Sequence, residues 1–256
     1  MVEHRALKFQ RDDAVLRITL ADSAQRNAQT PTMWQALAQT AAELDPEVRV
    51  VIIDAEGADF SAGLHLDMLR VDGMPGEPPL FKIARDSADA LAAEVKEFQK
   101  AFTSWRNSHA VVIAAVQGHA IGAGFQLALG ADLRLVSEDV KFAMREVGHG
   151  LVPDLGGTAV LTHIVGYSRA MEICLTGRFV EAQEAVGSGL ATLAAPKAKL
   201  AETTDQVVAA LLESPAPAMR EMKALLAAAV DNPVSEQVAL ERAAQGRLLH
   251  RIAGGN

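Results

Sequence analysis

Three short segments carry the residue types and spacings from which chemistry can be built. The first is Asp59-Phe60-Ser61-Ala62-Gly63-Leu64-His65-Leu66, a short loop beyond the apolar run RVVII (49–53). Small residues just after a strand let the backbone come close to a ligand; a plain turn explains the segment equally well. The second is Gln117-Gly118-His119-Ala120-Ile121-Gly122-Ala123-Gly124-Phe125-Gln126, between VVIAAV (111–116) and an apolar helical run. A small-residue turn that opens a helix leaves N–H groups without intrahelical acceptors, aimed at an anion. It is not a dinucleotide fingerprint, because after Gly122 and Gly124 the third position is Leu127, and no phosphate-gripping G-x-x-x-x-G-K occurs. The third runs from Arg145 to Thr158 and sets Glu146 and Asp154 eight residues apart in a Gly-rich, otherwise apolar stretch. Burial there raises a carboxyl pKa toward neutrality, which suits a general base. Taken singly, each carboxylate reads as a surface or capping group. Glu146 and His149 have metal-ligand spacing but lack further ligands, so no metal is expected. His65 and His119 read as structural histidines. Cys174, the only cysteine, has no basic neighbour closer than Arg169 and Arg178 and reads as buried and inert.

The elements that must position these segments follow from periodicity. Leu16, Ile18 and Leu20 alternate with Arg17 and Thr19, which predicts a half-buried strand over 14–20. RVVII and VVIAAV are apolar throughout, as strands covered on both faces are. Shorter strands are predicted at 133–136 and 142–144. Thr30-Pro31 supplies an N-cap and first helical residue, followed by Met33, Leu37, Ala41 and Leu44 at helical spacing. Leu91, Val95, Phe98 and Phe102 trace a second helical stripe. From about Pro196 the pattern is helical only, with helices predicted over 200–212, 216–230 and 235–249. Alternating strands and helices define the α/β class. The segment 71–80, VDGMPGEPPL, is the one conspicuous loop and is expected to be mobile.

Composition removes several classes. The 256 residues suit one large domain, or one plus a small appendage. One cysteine excludes a disulfide framework and a thiolate zinc site. With 24 basic against 32 acidic residues the net charge is −8, and aromatics are only 4 %, so neither a phosphate-backbone binder nor a base-stacking platform is expected. No signal peptide is expected from the charge-mixed first 16 residues, and a cytoplasmic location follows. The stretch 107–131 carries no formal charge, but its glycines, glutamines and histidines read as strand, turn and buried helix rather than a membrane span.

Together the three segments resemble the crotonase superfamily, the enoyl-CoA hydratases and isomerases. The matching strings are FSAGLHL (60–66), AVQGHAIGAGFQLALGADLRL (115–135) and EVGHGLVPDLGGT (146–158), with AQRNA (24–28) and TGRFVEAQEAVGSGLA (176–191) in support. The resemblance implies an α/β fold built as a spiral of ββα units. Residues 1–196 would form the core with an acyl-CoA site, and 197–256 a helical region that covers the site and builds homotrimers or hexamers. The substrate it implies is an acyl-CoA thioester; coenzyme A belongs to the substrate and no separate cofactor is expected. By position, the backbone N–H groups of Leu64 and Ala123 would hold the thioester oxygen, Ala123 standing where the family commonly has glycine. Ala62 and Leu66 map to the segment lining the adenine pocket, with Gly63 and Gly122 beside them in the CoA- and substrate-binding set.

Such a site has a plain chemical rationale. A thioester α-proton does not leave unaided at neutral pH, but two oriented N–H donors stabilise the enolate oxygen as it forms. A helix opening near Gly124 adds its partial positive charge. In the hydratases the resemblance places two glutamates at the positions of Gln126 and Glu146. An amide neither gives nor takes a proton at neutral pH, so two-carboxylate hydration is not the first expectation. Double-bond isomerisation needs one base, which Glu146 supplies. The spacing of Glu146, Gly150, Leu151, Asp154 and Gly156 also resembles dienoyl-CoA isomerases, in which an acid at the position of Asp154 assists. The alternatives are a hydratase with Gln126 as a water holder, a non-catalytic acyl-CoA binder, and thioester hydrolysis or dehalogenation with His65 as a second base. A serine hydrolase would need a G-x-S-x-G elbow, which is absent.

Overall fold

The two long apolar runs become neighbouring central strands whose side chains feed two cores. The computed structural model describes residues 3–254. In chain order the elements are β1 (Leu7–Asp12), β2 (Val15–Leu20), α1 (Pro31–Ala42), β3 (Val50–Ala55), α2 (Leu80–Asp86), α3 (Ala88–Thr103), β4 (Val111–Val116), β5 (His119–Ile121), α4 (Ala123–Leu129), β6 (Leu133–Ser137), β7 (Lys141–Ala143), α5 (Gly157–Val165), α6 (Tyr167–Thr176), β8 (Val180–Glu181), α7 (Ala182–Gly187), β9 (Leu193–Ala195), α8 (Leu200–Leu212), α9 (Ala216–Ala228) and α10 (Val234–Ile252). The main sheet has the order β1-β2-β3-β4-β6-β9, all parallel except the β1–β2 hairpin. Successive side chains on a strand face opposite ways. Val51, Ile53, Val112, Ala114 and Val116 therefore enter a core with Trp34, Leu37, Phe98, Phe102 and Phe125. Val50, Ile52, Ile113, Ala115 and Leu135 enter a second core against Leu200 and Val208 of α8 and Met219 of α9. That double coverage is why these strands are apolar without alternation.

Each turn of the chain also crosses a smaller sheet, β5-β7-β8. Parallel bridges Gln29–Leu64 and Ser61–Ala120 extend its pattern toward the N-terminal turns. Strand to main sheet, strand or bridge to small sheet, then helix is the repeated ββα turn of a spiral. The stacking sets 61–64 directly beside 119–123, and it is this contact that builds the site.

Several expectations meet refinements. The β1 strand is absent from the sequence reading because only Leu7 of its six residues is buried; as an edge strand it shows little apolar pattern. β5, β8 and β9 have two or three residues each, too few for periodicity to show. Thr30 occupies the N-cap of α1 but its hydroxyl does not cap the helix. The Glu77 carboxylate does so instead, accepting from the Thr32 N–H at 2.9 Å and the Thr32 hydroxyl at 2.5 Å. Loop 71–80 is thus tied to α1 at Glu77. Among the described residues, no helix is long and apolar enough to cross a membrane.

Candidate active site

The segment 59–64 is fixed by Asn27. This residue is buried and has a left-handed backbone, φ +53°, which asparagine tolerates better than most side chains. Its Oδ1 accepts from the Asp22 N–H at 2.9 Å, and its Nδ2 donates to the carbonyls of Glu56 and Asp59, both at 2.9 Å. Its own carbonyl accepts from the Ser61 hydroxyl at 2.7 Å. Gln29 continues the clamp: its N–H donates to Gly63 O at 2.7 Å and its carbonyl accepts from His65 N–H at 2.8 Å. Both bonds pass Leu64 by, so the Leu64 N–H has no acceptor among the described residues. Gly63 has φ +90°, and a Cβ there would lie 2.5 Å from Ile121 O and 3.5 Å from Ala123 N. Only glycine permits that approach. It brings the free N–H of Leu64 beside that of Ala123, which as the first residue of α4 has no intrahelical acceptor.

The carboxylate lies on the other side of the same turn. Gly122, φ +53°, lets Glu146 pack over it; a Cβ would stand 3.3 Å from Glu146 Oε1. Gln126 lies one helical turn into α4 and is buried. Its Nε2 donates to Glu146 Oε1 at 2.9 Å. Its Oε1 accepts from the N–H groups of Leu155 at 3.0 Å and Gly157 at 3.2 Å. Glu146 Oε2 is buried and has no hydrogen-bond partner among the described residues. Burial raises the Glu146 pKa, opposed by its own backbone N–H and by Gln126, and the charge of Asp154 raises it further. Asp154 is an exposed residue, yet desolvation of its carboxyl raises its pKa as well.

The fold therefore brings Gly63, Leu64, Gly122, Ala123, Gln126, Glu146 and Asp154 to one place, where two N–H groups without acceptors among the described residues, one buried carboxylate oxygen and a second carboxylate converge. Ala62 and Leu66 flank this place; Ala62 N–H donates to Arg26 O at 2.9 Å and Leu66 is 70 % exposed. His65 caps the turn 66–69, its Nδ1 accepting from Asp67 N–H at 3.2 Å. His119 has Nδ1 2.7 Å from Asp59 Oδ1 and its ring edge-on to Phe179, a structural arrangement. Burial opposes ionisation of Asp59, but Arg26 and the N–H groups of His119 outweigh it and hold the pKa at about 2. Cys174 is half-buried; burial and then the charge of Glu146 push its thiol pKa up. A cavity of about 570 Å³ between α9 and the starts of β4 and β6 includes none of these residues. Sequence reasoning missed Asn27, Gln29 and Asp59 as the scaffold of Leu64. The string AQRNA held the only signal, since an Asn in a turn-rich stretch is a candidate for left-handed backbone.

A strand–helix spiral with paired N–H donors facing a buried carboxylate defines a class of acyl-group-handling folds, and comparison with known proteins places the chain within it. The family model for enoyl-CoA hydratase/isomerase matches residues 10–252. A provisionally named enoyl-CoA hydratase of Thermobifida fusca YX, solved with acetoacetyl-CoA, is 43 % identical with a TM-score of 0.91, covering 97 % of this chain and 95 % of that one. The same protein solved with CoA gives 42 % identity and a TM-score of 0.92, over 98 % and 95 %. The provisionally named enoyl-CoA hydratase EchA17 of Mycobacterium tuberculosis is 31 % identical, over 90 % of this chain and 84 % of its own. The chain belongs to the enoyl-CoA hydratase/isomerase family, and its fold is that of the crotonases.

Proposed function

We propose that this enzyme shifts the carbon–carbon double bond of an enoyl-CoA, with Glu146 as the single base. The observation that carries the reading is Glu146 Oε2, a buried carboxylate oxygen without a partner among the described residues, packed against the Gly122 turn that leads into Ala123, whose N–H, like that of Leu64, has no acceptor among them. The thioester oxygen binds between the N–H groups of Leu64 and Ala123. Glu146 Oε2 takes a proton from the α-carbon, the C–H electron pair moves into a dienolate, and the negative charge collects on that oxygen. The same carboxyl returns the proton two carbons further along, so atoms and charge balance and no water is consumed. A donor of this kind contributes roughly 10²–10³ in rate. Raised proton affinity at Glu146 matches a base that must take and release a proton near neutral pH. Asp154 assists by its charge or as an auxiliary acid. The step needs no metal or redox cofactor, and coenzyme A enters as part of the substrate.

The names of the relatives favour a second reading, water addition to a 2-enoyl-CoA. Against it, both acceptor sites of Gln126 Oε1 are taken by backbone N–H groups, leaving one Nε2 hydrogen to hold a water. A homotrimer or hexamer is proposed from α10, which buries only Ala244 and leaves Val234 and Ile252 each 79 % exposed.

The test is incubation with 2-enoyl-, 3-enoyl- and 3,5-dienoyl-CoA in heavy water, scored by NMR and mass spectrometry. Double-bond movement without water addition is expected, with deuterium at the α- or γ-carbon only as far as Glu146 exchanges its proton with solvent, and Glu146→Gln should abolish it while CoA-ester binding stays within a few-fold. Fast hydration by the wild type, or turnover retained by E146Q, would refute the proposal. Bound ester with neither turnover nor exchange would leave a binding protein as the reading.

A further inference from the structure

We infer that Gln126 is a positioning residue that gives the two oxygens of Glu146 different tasks, holding Oε1 and leaving Oε2 to carry the proton. The inference rests on Glu146 being the base and adds how that base is oriented. The amide orientation is dictated by its surroundings. Two backbone N–H groups, from Leu155 and Gly157, point at one end of the side chain, and that end must be the acceptor oxygen. The other end must then be the NH₂ group, and it faces Glu146 Oε1 at 2.9 Å. A flipped amide would set donor against donor at both ends, in a side chain that is 2 % exposed. Gly157 keeps the contact tight, since a Cβ there would fall 2.7 Å from Gln126 Cγ.

The consequence is asymmetric proton affinity. Nε2–H needs a lone pair, so a proton arriving at Glu146 is directed to Oε2, which has no partner among the described residues. A carboxylate with two free oxygens could rotate and lose its aim; one held at Oε1 presents Oε2 in a single direction. The other groups around Glu146 do not supply this hold. Arg145 turns its guanidinium over Phe179, 4.7 Å from the ring centroid. Asp154 bears on Glu146 through its charge and makes no hydrogen bond to it among the described residues, and Cys174 on α6 senses the Glu146 charge without being its hydrogen-bond partner. A glutamate in place of Gln126 could still accept from Leu155 and Gly157 with one oxygen. Its other oxygen would face Glu146 Oε1 at hydrogen-bond distance, and two carboxylates that close cannot both be ionised.

The experiment measures double-bond migration in a 3-enoyl-CoA against pH for the wild type, Gln126→Leu and Gln126→Glu, together with a ¹³C-carboxyl titration of Glu146 in ligand-free protein, its signal assigned by loss in E146Q. In Q126L, kcat should fall roughly 10- to 100-fold, the range of a lost hydrogen bond to a charged group, with KM little changed. The acid limb of the rate profile and the Glu146 titration should both move to higher pH. In Q126E both should move up as well, because one proton becomes shared, while the acceptor for Leu155 and Gly157 is retained. A Glu146 titration that stays in place in both variants would overturn the positioning role, whatever happens to the rate. A wild type that moves no double bond would overturn the proposed reaction, and the titration would still decide whether Gln126 holds Glu146.

Discussion

Replacing Asn27 by alanine tests whether a residue that never faces substrate holds the active-site segment in place. The substitution removes three side-chain hydrogen bonds, to Asp22 N–H, Glu56 O and Asp59 O, in a residue that is 1 % exposed. At about 1 kcal/mol each the loss is about 3 kcal/mol. Alanine at φ +53° adds roughly 1 kcal/mol of backbone strain. The sum is about 4 kcal/mol, which at a urea m-value of ~3 kcal/mol/M lowers the unfolding midpoint by about 1.3 M. Wild type and variants are compared at equal protomer concentration, because assembly shifts apparent stability. Two companions separate the contributions. Asn27→Gly removes the bonds but not the freedom to adopt positive φ, and should recover roughly the 1 kcal/mol of strain. Asn27→Asp keeps the acceptor for Asp22 but turns the donor into an oxygen facing two carbonyls, so it should not rescue. A midpoint for N27A within ~0.3 M of wild type, or wild-type stability in N27D, would refute the reasoning.

Lys223→Met should cost about 3–5 kcal/mol, because Lys223 Nζ is 2.8 Å from the Asp132 carboxylate and donates to the carbonyls of Trp105 and Ala110; a melting curve reads the loss, and limited proteolysis beyond residue 213 should accelerate. Gly63→Ala should lower kcat about 10²-fold, the scale of a 1 Å misplacement, since its Cβ would push Ile121 O and with it the Ala123 N–H; unchanged kcat would argue that these N–H groups bind no oxyanion. Glu146 titrates above its ordinary range when folded, so the folded state binds the proton more tightly and stability falls as pH rises through that raised pKa. E146Q should therefore be more stable than wild type at pH ~7.5 and lose the advantage near pH ~3, below the ordinary Glu value of about 4.3; an equal gain at both would refute the linkage. Asp59, held at about 2, has the opposite sign: its contribution is full above the ordinary carboxyl range and is lost as pH falls toward 2, so Asp59→Asn should narrow its stability deficit on acidification.

Much of the frame could be read from residue order alone. VVIAAV coincides with β4, RVVII overlaps β3, and the predicted helix 200–212 matches α8, because an apolar run or a helical stripe is a local property of consecutive residues. Glycine strings and the carboxylates Glu146 and Asp154 were visible for the same reason. Their meeting was not. Glu146 Oε2 lacks a partner among the described residues because Gly122 lets it pack against α4 and Gln126 occupies its companion. Gln126 was readable as an amide where a second acid would stand, but which way that amide points is decided by the Leu155 and Gly157 N–H groups, 29 and 31 residues downstream. Likewise Leu64 and Ala123 are nearly sixty residues apart in sequence, and their N–H groups become neighbours through the bridge between Ser61 and Ala120. Composition and periodicity determined the central strands, the longer amphipathic and C-terminal helices and the kinds of functional group available, while the short strands and helices between them escaped. Proximity, desolvation and hydrogen-bond direction are properties of groups from different turns of the spiral, and only the tertiary structure decided them.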